Sequence, residues 1–355
     1  MKRVYVLLML AVFTLPAYAQ IMLDSSFTIS GSADVYFRTN LNSSNTLIED
    51  GYETGRTVAP GSSFANLPGF SLGMFNLIGE YSSDKYGFKA DLVFGPRGRD
   101  AVFNSEPALA IVNQLYGWVM LGDKVKATLG NFNTYLGYEV ISPTVNYNYS
   151  TSYMFSYGPF SHTGLKLDFD LGSGFSLTGA LMNPTDWTDF NPFGELNYGA
   201  QLGYAGDAFS GFLNYLGGPG YNQIDFTGGA QVSDNFFLGL NATSAVDLFS
   251  GVALYAQVAA SESVGFGLRG EYFVDHGLGI VGGTTDASES VMDLTLSMNY
   301  TVGNFRLIPE VRVDLFSADD SVITDSAYNA AADAYAPTAF SKNLASFVLA
   351  AVYSF

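Results

Sequence analysis

The sequence contains no cysteine and carries little charge. Because none of its 355 residues is cysteine, disulfide bridges, cysteine-based metal sites and thiol catalysis are excluded. Only 14% of the residues are Asp, Glu, Lys or Arg, whereas about 25% is usual in soluble domains. After the first twenty residues, no apolar run approaches the roughly 20 residues that a transmembrane helix needs. These absences disfavour an ordinary soluble domain, a disulfide-rich scaffold and a helical membrane protein.

The N-terminal segment has the three parts of a secretory signal peptide. Met1–Arg3 is basic, Val4–Leu15 is apolar, and Ala17–Ala19 forms an A-x-A cleavage site. The apolar part is too short to cross a bilayer as a helix. We therefore expect a cleaved signal peptide over residues 1–19 and one mature domain over residues 20–355.

Apolar and polar residues alternate along several long segments of an aromatic- and glycine-rich chain. Aromatic residues make up 15% of the sequence, and there are 39 glycines. The alternation is clear at residues 27–38, 162–171, 264–274, 292–302 and 305–315. Strands with one apolar and one polar face separate lipid from lumen in a transmembrane β-barrel. The alternation is weaker at Phe70–Tyr81 and Val112–Leu121, so the facing of these two strands stays open.

Tight turns alternate with longer loops along the chain. The tight Gly/Asn/Asp/Ser turns are 82–85, 122–124, 172–174, 206–207, 233–235, 261–263 and 303–304. The longer loops are 39–68, 95–110, 131–158, 183–195, 217–222, 244–250, 275–290 and 317–342. Short periplasmic turns and long external loops are typical of outer-membrane barrels. The pattern predicts an all-β, closed antiparallel transmembrane β-barrel of about sixteen strands, within about two, with both termini in the periplasm.

Charged residues on the predicted strands fall on the lumen side, in nearly equal numbers of each sign. A lysine or arginine facing lipid would cost about 2–4 kcal/mol at the bilayer midplane. The residues predicted to line a channel are Arg38, Lys89, Asp91, Lys126, His162, Lys166, Asp168, Arg269, Glu271, Arg306, Glu310, Arg312 and Asp314. Mixed charges indicate water in the lumen. A salt-bridged plug would use the same residues, but about sixteen strands are too wide to fill with side chains alone.

Most of the remaining charge is acidic. The formal net charge is −18, and −20 once Lys2 and Arg3 leave with the signal peptide. An acidic rim would concentrate cations at the channel mouth. Alternatively, it is a solvated loop surface that bridges to lipopolysaccharide through divalent cations.

The third loop, Asn131–Gly158, is aromatic and rich in amides, and Glu139 is its one charged residue. Folding the loop into the barrel would bury its rings and narrow the pore. The predicted constriction residues are Tyr135, Tyr138, Glu139, Asn146, Tyr147, Tyr149 and Tyr153. Tyrosine and asparagine offer stacking and hydrogen bonds to neutral solutes such as sugars. In the alternative interpretation, part of this segment extends the two neighbouring strands.

The segment Gly130–Gly164 also carries a family resemblance. Its stretches L-G-Y-E-V-I, N-Y-N-Y-S-T-S-Y, F-S-Y-G-P-F and S-H-T-G resemble the OmpL-like β-barrel porins, the family called putative β-barrel porin-2, and G-F-S-L-G-M-F-N-L-I-G-E and F-K-A-D-L-V-F-G are similar too. The resemblance implies an outer-membrane location and a porin-like channel. The family usually carries a basic residue near S-x-S-Y, whereas Thr151 stands between two serines here. Resemblance to outer-membrane barrels also implies that Phe355 is a recognition signal for the assembly machinery.

We therefore expect an outer-membrane, porin-like channel in a diderm bacterium for passive diffusion of small hydrophilic solutes, with the third loop as its constriction. We expect no cofactor, metal or nucleic acid. The expected partners are outer-membrane lipids, lipopolysaccharide, the assembly machinery and small polar solutes, and a homo-oligomer is compatible with the sequence. The loose acidic cluster Asp319, Asp320 and Asp325 lacks the ligand spacing of a known calcium loop.

Two other functions stay open. The first is a non-conducting surface or adhesin-type barrel, whose acidic eighth loop contains an alanine-rich stretch, 327–336, with helical character. The second is a lipid-modifying barrel enzyme. Its candidates, His162 and His276, form no nucleophile–base pair on one face by local spacing, and the sequence favours a hydrogen bond from His162 that orients the third loop. We therefore expect no enzymatic activity.

Overall fold

The computed structural model describes residues 21–22, 26–45, 47–48, 56–107, 109–279, 281, 289–319, 321–329 and 334–355. The predicted signal peptide lies outside the described residues. Within these ranges, nearly all regular structure is β-strand, with two short helices. No helix in this part of the chain is both long and apolar enough to cross a membrane.

Sixteen long strands form the body of the molecule. They are β2 (Phe27–Asn40), β5 (Gly69–Ser82), β6 (Tyr86–Phe94), β7 (Val112–Gly122), β8 (Val125–Asn133), β9 (Ser161–Gly172), β10 (Phe175–Met182), β11 (Asn197–Ala205), β12 (Phe209–Gly218), β13 (Tyr221–Ser233), β14 (Phe236–Ala245), β15 (Phe249–Ala259), β16 (Val264–Asp275), β17 (Glu289–Val302), β18 (Phe305–Phe316) and β21 (Asn343–Ser354). The minor elements are β1 (Ile21–Met22), β3 (Leu47–Ile48), β4 (Arg56–Thr57), β19 (Val322–Asn329), β20 (Ala334–Ser341), α1 (Pro96–Ala101) and α2 (Tyr153–Tyr157).

The sixteen strands close into one antiparallel barrel. Each strand pairs with the next, and β21 pairs with both β18 and β2, so no edge is left open. Phe355 and Gly31 also exchange two backbone hydrogen bonds, of 2.9 and 3.0 Å. The predicted closed barrel of about sixteen strands is therefore confirmed.

The two faces of the wall differ as the alternation predicts. On β17, Met292, Leu294 and Leu296 are 44–53% exposed, whereas Asp293 and Thr295 are fully buried. The exposed apolar face suits contact with lipid tails, and the polar face points into the barrel. Because residues such as Asp293 and Thr295 are buried although they point into the barrel, other parts of the chain must cover the inner face.

Bulges explain the two strands whose alternation is weak. Ala33 pairs with Phe75 but Val35 pairs with Leu72, so β5 carries one extra residue there. A second bulge lies in β7, near residues 113–114. An extra residue moves every later side chain to the opposite face, which breaks the period-two pattern.

Three predictions about the connections need correction. All seven tight turns occur where expected, but residues 217–222 and 244–250 are tight hairpins rather than longer loops, because Gly217 pairs with Asn222 and Ser244 with Ser250. Glycine and serine suit a strand end as well as a loop, so composition alone misled. The stretch 327–336 is also not helical where it is described, since residues 327–329 pair with 334–336 in the hairpin of β19 and β20.

Candidate functional site in the barrel lumen

The third loop folds into the barrel. Residues 131–133 belong to β8, so the alternative of an extended strand holds for these three only, and "third loop" below means residues 134–158. The loop makes contacts as far apart as Asp34 on β2 and Asp225 on β13. Tyr149 and Tyr153 are fully buried. The loop therefore crosses the lumen rather than extending into external water.

Two wall carboxylates hold the backbone N–H groups of the loop. The Glu310 carboxylate accepts the N–H groups of residues 149 and 150, at 2.7 and 3.0 Å. Glu271 accepts those of residues 153 and 154, at 2.8 and 2.7 Å. Hydrogen bonds to an ionised acceptor are stronger than neutral ones. Each carboxylate thus fixes two consecutive peptide groups.

Three arginines hold the carbonyl groups of the same segment. Arg97, Arg269 and Arg312 donate to the carbonyl oxygens of residues 149, 150 and 151, at 2.9, 2.7 and 2.7 Å. Arg269 and Arg312 lie on strands β16 and β18, and Arg97 lies in helix α1 of the second external loop. We call residues 149–154 with the side chains of Arg97, Arg269, Glu271, Glu310 and Arg312 the loop clamp.

The charges behind the clamp form a buried network. Arg269 lies 2.6 Å from Glu139 of the loop and 2.8 Å from Asp293, and Arg312 lies 3.0 Å from Asp293 and 2.7 Å from Asp314. These five side chains are at most 4% exposed. Removing one partner of such a network leaves an uncompensated buried charge, which costs about 3–5 kcal/mol.

Two tyrosines predicted for the constriction lie within this packing. Tyr149 donates a hydrogen bond from its hydroxyl to Asp34 on β2. The ring of Tyr153 packs against Phe273, with 5.6 Å between the ring centroids. Both rings are therefore covered and fixed in place.

Three further loop tyrosines lie on glycines of the wall. A Cβ atom added to these glycines would lie only 1.8–2.7 Å from a tyrosine atom, which is closer than packing allows. The pairs are Tyr135 with Gly199, Tyr138 with Gly239, and Tyr147 with Gly265. Tyr138 is also stacked on Tyr255, at 4.0 Å between centroids. We call these three positions the glycine slots.

The stem of the loop is held by Arg306 and Asn146. Arg306 donates to the carbonyl oxygens of Pro143 and Asn146. The Asn146 side chain accepts the N–H of Val140 at 2.9 Å and donates to its carbonyl at 2.6 Å. Asn146 therefore fixes a turn of the loop itself.

His162 contacts the start of the loop. Its Nε2 lies 2.9 Å from Thr134 Oγ1, and its ring lies 5.4 Å from the ring of Tyr135. This is the hydrogen bond that the sequence favoured over a catalytic role.

The lysines predicted to face the lumen lie away from the clamp. Lys126 and Lys166 each lie 3.6 Å from Asp168, and Lys89 lies 3.5 Å from Glu80. The three lysine side chains keep 22–31% of their surface exposed. This side of the lumen, formed by β5–β9, is accordingly the more open one.

The last two predicted lumen residues are buried in local hydrogen bonds. Arg38 donates to Asn40 at 2.8 Å and to the Val58 carbonyl at 3.2 Å. Asp91 accepts from the amide side chains at 113 and 114, at 2.8 and 3.1 Å. The β7 bulge brings both amides to the inner face. A role in lining a conducting path stays a prediction for all thirteen residues.

The first external loop covers the third and was missed by sequence reasoning. Ser63 donates its N–H to Ser156 Oγ at 2.7 Å, and its carbonyl accepts from Thr151 Oγ1 at 2.6 Å. Arg97 lies over the ring of Phe64, at 4.6 Å from its centroid. Serine, phenylalanine and arginine in external loops give no signal of such contacts in the sequence.

A serine and a histidine meet at the external rim. Ser250 Oγ lies 3.0 Å from His276 Nε2, across the paired strands β15 and β16. Local spacing could not reveal this pair, because its two members are 26 positions apart in the sequence. The adjacent Asp275 accepts the N–H groups of Gly277 and Leu278, at 2.9 and 2.6 Å. Among the described residues, no group of three or more His, Asp or Glu could hold a metal ion.

Comparison with known families decides the classification. Residues 26–355 match the family described as Putative beta-barrel porin-2, OmpL-like. The chain belongs to this family. The family and the closed barrel support an outer-membrane location, as the resemblance implied. Among curated protein sequences, none matches the chain.

Solved structures share the fold at low sequence identity. OprB of Pseudomonas putida is 10% identical, with a TM-score of 0.61 over 93% of this chain and 94% of that one. OmpT of Vibrio cholerae, an outer membrane protein, is 12% identical, with a TM-score of 0.54 over 94% and 99%. A variant of the Rh. blastica porin is 11% identical, with a TM-score of 0.53 over 93% and 100%. At these identities the likeness concerns the fold alone.

Proposed function

We propose that this member of the porin family is a passive diffusion channel for small hydrophilic solutes, with the third loop as its constriction. The observation that carries the proposal is the path of the loop across the lumen of a sixteen-strand barrel. A barrel of this width is too wide to be closed by wall side chains alone. The loop therefore determines how much of the lumen is left to solutes.

The side of the lumen that carries Lys89, Lys126 and Lys166 is the proposed route. Their side chains keep part of their surface exposed, whereas the charges of the loop clamp are buried. Because the chain has no cysteine, a single cysteine can report on this route. In Lys126→Cys, a thiol-directed cationic reagent should change the current through the channel, whereas the lipid-facing Leu129→Cys should be unaffected.

Planar-bilayer recording tests the proposal directly. Protein folded in detergent and inserted into a bilayer should give stepwise conductance in KCl. An absence of steps from protein that is verified as folded would contradict the channel function.

Shortening the loop tests its role as the constriction. Replacing Thr134–Gly158 by a short Gly/Ser turn, while keeping residues 131–133 in β8, should raise single-channel conductance several-fold. The matched control shortens the hairpin of β19 and β20 at 327–336, which should leave conductance unchanged. Equal conductance in both variants would exclude the third loop as the constriction.

The density of the loop clamp favours a second candidate, a non-conducting surface barrel. Seven hydrogen bonds from the loop backbone to buried charged side chains, with the ion pair between Glu139 and Arg269, would hold the loop closed at rest, if the clamp never opens. The two candidates differ in the shortened-loop variant. A variant that conducts while the full-length protein never does would favour the second candidate.

We also propose that the protein assembles as a homo-oligomer among outer-membrane lipids and lipopolysaccharide. A trimer form of Vibrio cholerae OmpT has been described, and it shares the fold. Light scattering of the protein in detergent tests this, because a single protein mass of 38.1 kDa or less in the micelle would contradict an oligomer.

A further inference from the structure

A cavity of about 400 Å³ lies beneath the third loop. Its roof is formed by Asn133 of β8 and by residues 134–141 and 144–148 of the third loop, and its other side reaches the tight turn 261–263. It therefore opens toward the end of the barrel that carries the tight turns, which we expect to be periplasmic. The volume falls within the range of about 300–1,000 Å³ that small-molecule sites occupy.

The lining combines aromatic rings with amide side chains. Tyr135, Tyr138 and Tyr147 line the cavity from the loop, and Gln201, Gln257 and Asn299 line it from the wall. Tyrosine rings offer flat apolar surface against which the C–H face of a solute can pack, and amides both donate and accept hydrogen bonds. The glycine slots hold these rings in position before any solute arrives.

Two of the lining amides have an oxygen that accepts no hydrogen bond from the described residues. These atoms are Oδ1 of Asn133 and Oδ1 of Asn299. Asn299 is only 6% exposed, and its Nδ2 donates to the Tyr147 carbonyl at 2.9 Å. A buried acceptor without a donor is costly, at about 1–3 kcal/mol. Both oxygens lie beneath the cavity surface, so the polar contacts offered to a solute come from the exposed part of the lining rather than from these two atoms.

The charges on the lining cancel. Glu139 and Glu262 are balanced by Lys166 and Arg306. Three of the four are already engaged: Glu139 with Arg269, Lys166 near Asp168, and Arg306 with loop carbonyls. The fourth, Glu262, is exposed to water on the tight turn 261–263. In the rest of the lining every charge is already engaged, so a charged solute would lose its hydration there without gaining an opposite charge, and the lining suits an uncharged solute.

We propose that this cavity is a binding site for an uncharged, hydroxyl-rich solute of mono- or disaccharide size, reached from the tight-turn end of the barrel. The proposal deepens the proposed channel function, on which it rests for the route of entry. Lys166 lies where this cavity meets the lysine-lined side of the lumen, whereas Lys89 and Lys126 are not part of the cavity lining.

Calorimetric titration of the folded protein in detergent tests the site. Glucose and maltose serve as neutral probes, with gluconate and glucosamine as charged probes of similar size. At least one neutral sugar should bind saturably, and both charged probes should bind at least tenfold more weakly. No saturable binding of either neutral sugar, or equal binding of the charged probes, would overturn the proposal.

A matched pair of variants locates the binding. Asn299→Ala should weaken sugar binding about tenfold or more, because Asn299 lines the cavity and its Nδ2 holds the backbone of Tyr147, whose ring is part of the lining. Gln231→Ala changes an amide on β13 outside the cavity and should leave binding unchanged. Equal affinity in both variants would place the sugar elsewhere and overturn the proposal. If Asn299→Ala fails to fold, the comparison of neutral and charged probes on the unmodified protein still decides.

The outcomes for the site and for the channel are separable. Stepwise conductance without sugar binding would overturn the cavity proposal and leave the channel function intact. Sugar binding without conductance in any variant would contradict the channel function and leave the binding site in the cavity intact.

Discussion

At the scale of single residues, the most informative contacts are those between wall carboxylates and loop amides. Glu271 and Glu310 face inward, as the alternation of their strands predicts, but they bind peptide N–H groups rather than water. The loop thereby gains charged acceptors for a backbone that forms little regular structure. Such groups must be satisfied when they are buried.

The first prediction concerns Glu310. In Glu310→Gln, one oxygen becomes an amide nitrogen that cannot accept, so one of the two loop N–H groups loses its partner. A hydrogen bond to a charged group contributes about 1.5–3 kcal/mol. Hydrogen exchange of residues 149–150, measured by mass spectrometry, should accelerate about tenfold or more.

Asp170→Asn is the control for that experiment. Asp170 is exposed, and its carboxylate accepts the N–H of Gly172 in a tight turn. Exchange in the third loop should match the unmodified protein. An exchange rate in Glu310→Gln equal to that of the control would show that the carboxylate does not hold the loop.

The second prediction concerns Asp186 in the fourth external loop. Its carboxylate accepts the N–H groups of Phe160 and Ser161, at 2.7 and 2.9 Å, where the chain returns to the wall. Burial raises the pKa of Asp186 from 3.8 to about 6, although these hydrogen bonds oppose the shift. Because the folded-state pKa is raised, the folded protein binds the proton more tightly than the unfolded chain does. The group therefore stabilises the fold increasingly as the pH falls from 7 toward 4.

Thermal unfolding in detergent measures this effect. The stability of the unmodified protein relative to Asp186→Asn should rise between pH 7 and pH 4, because asparagine has no charge to bury. A constant difference between the two proteins across this range would contradict the raised pKa.

At the scale of elements, the fit between the third loop and the wall depends on where the wall has no side chain. Gly199, Gly239 and Gly265 leave room for the three tyrosines of the glycine slots. Glycine within a strand normally weakens it. At these three positions, the stability that glycine costs the strand accompanies close packing of the third loop on the wall.

The third prediction follows from the slot at Gly239. In Gly239→Ala, the new Cβ atom would lie 2.7 Å from the ring of Tyr138, so the ring must move and its stacking on Tyr255 is disturbed. Overpacking of this kind costs about 1–3 kcal/mol. Denaturant unfolding in detergent should show that loss, with a changed near-ultraviolet dichroism of the tyrosines.

Gly179→Ala is the matched substitution. Nothing lies within 4 Å of a Cβ atom at this strand glycine, so we expect a change within about 0.5 kcal/mol. A similar loss of stability in both variants would indicate a general effect of strand glycines rather than the slot.

The strands could be predicted from the sequence because lipid and lumen impose opposite demands on alternate residues. An example is the stretch from Met292 to Thr295, in which the two apolar residues are exposed and the two polar residues are buried. The facing of β5 could not be predicted, because the bulge near Gly73 has no signal in the apolar pattern. Residues 217–222 were misassigned because the same residue types form strand ends and loops.

The sequence predicted that residues of the third loop are buried, but it could not predict which wall residues they contact. The aromatic composition of the third loop pointed to burial, and Tyr149 and Tyr153 are indeed buried. The partners of the loop backbone could not be read from the sequence. Glu310 is separated from residues 149–150 by about 160 positions, and any inward carboxylate satisfies the same alternation. Only the closed barrel determines which carboxylate meets which peptide.

At the scale of the whole molecule, the barrel is closed by its first and last long strands. β2 pairs with β21, and the loop clamp draws on β16 and β18, which lie late in the sequence. The third loop itself comes early, between β8 and β9. Its binding surface is therefore complete only when the C-terminal strands are in place.

The fourth prediction concerns the order in which these parts form. During refolding from urea into detergent, β-structure and the gel shift of a closed barrel should appear before the amides of residues 149–154 become protected from exchange. Contacts between residues so distant in sequence form late, because the intervening chain must first be ordered. Protection of the loop amides before barrel closure would contradict this order.

The remote partners of the clamp have a consequence for biogenesis. The third loop cannot bind its partners on the wall until the last strands have formed. The newly closed barrel is therefore first an open cylinder, in which Arg269, Glu271, Glu310 and Arg312 contact water. When the loop enters the lumen, these charged side chains are buried away from water in a single final step. In the folding order that we expect, narrowing of the lumen by the third loop is the last event in the maturation of this chain, so that only its youngest molecules have the widest lumen.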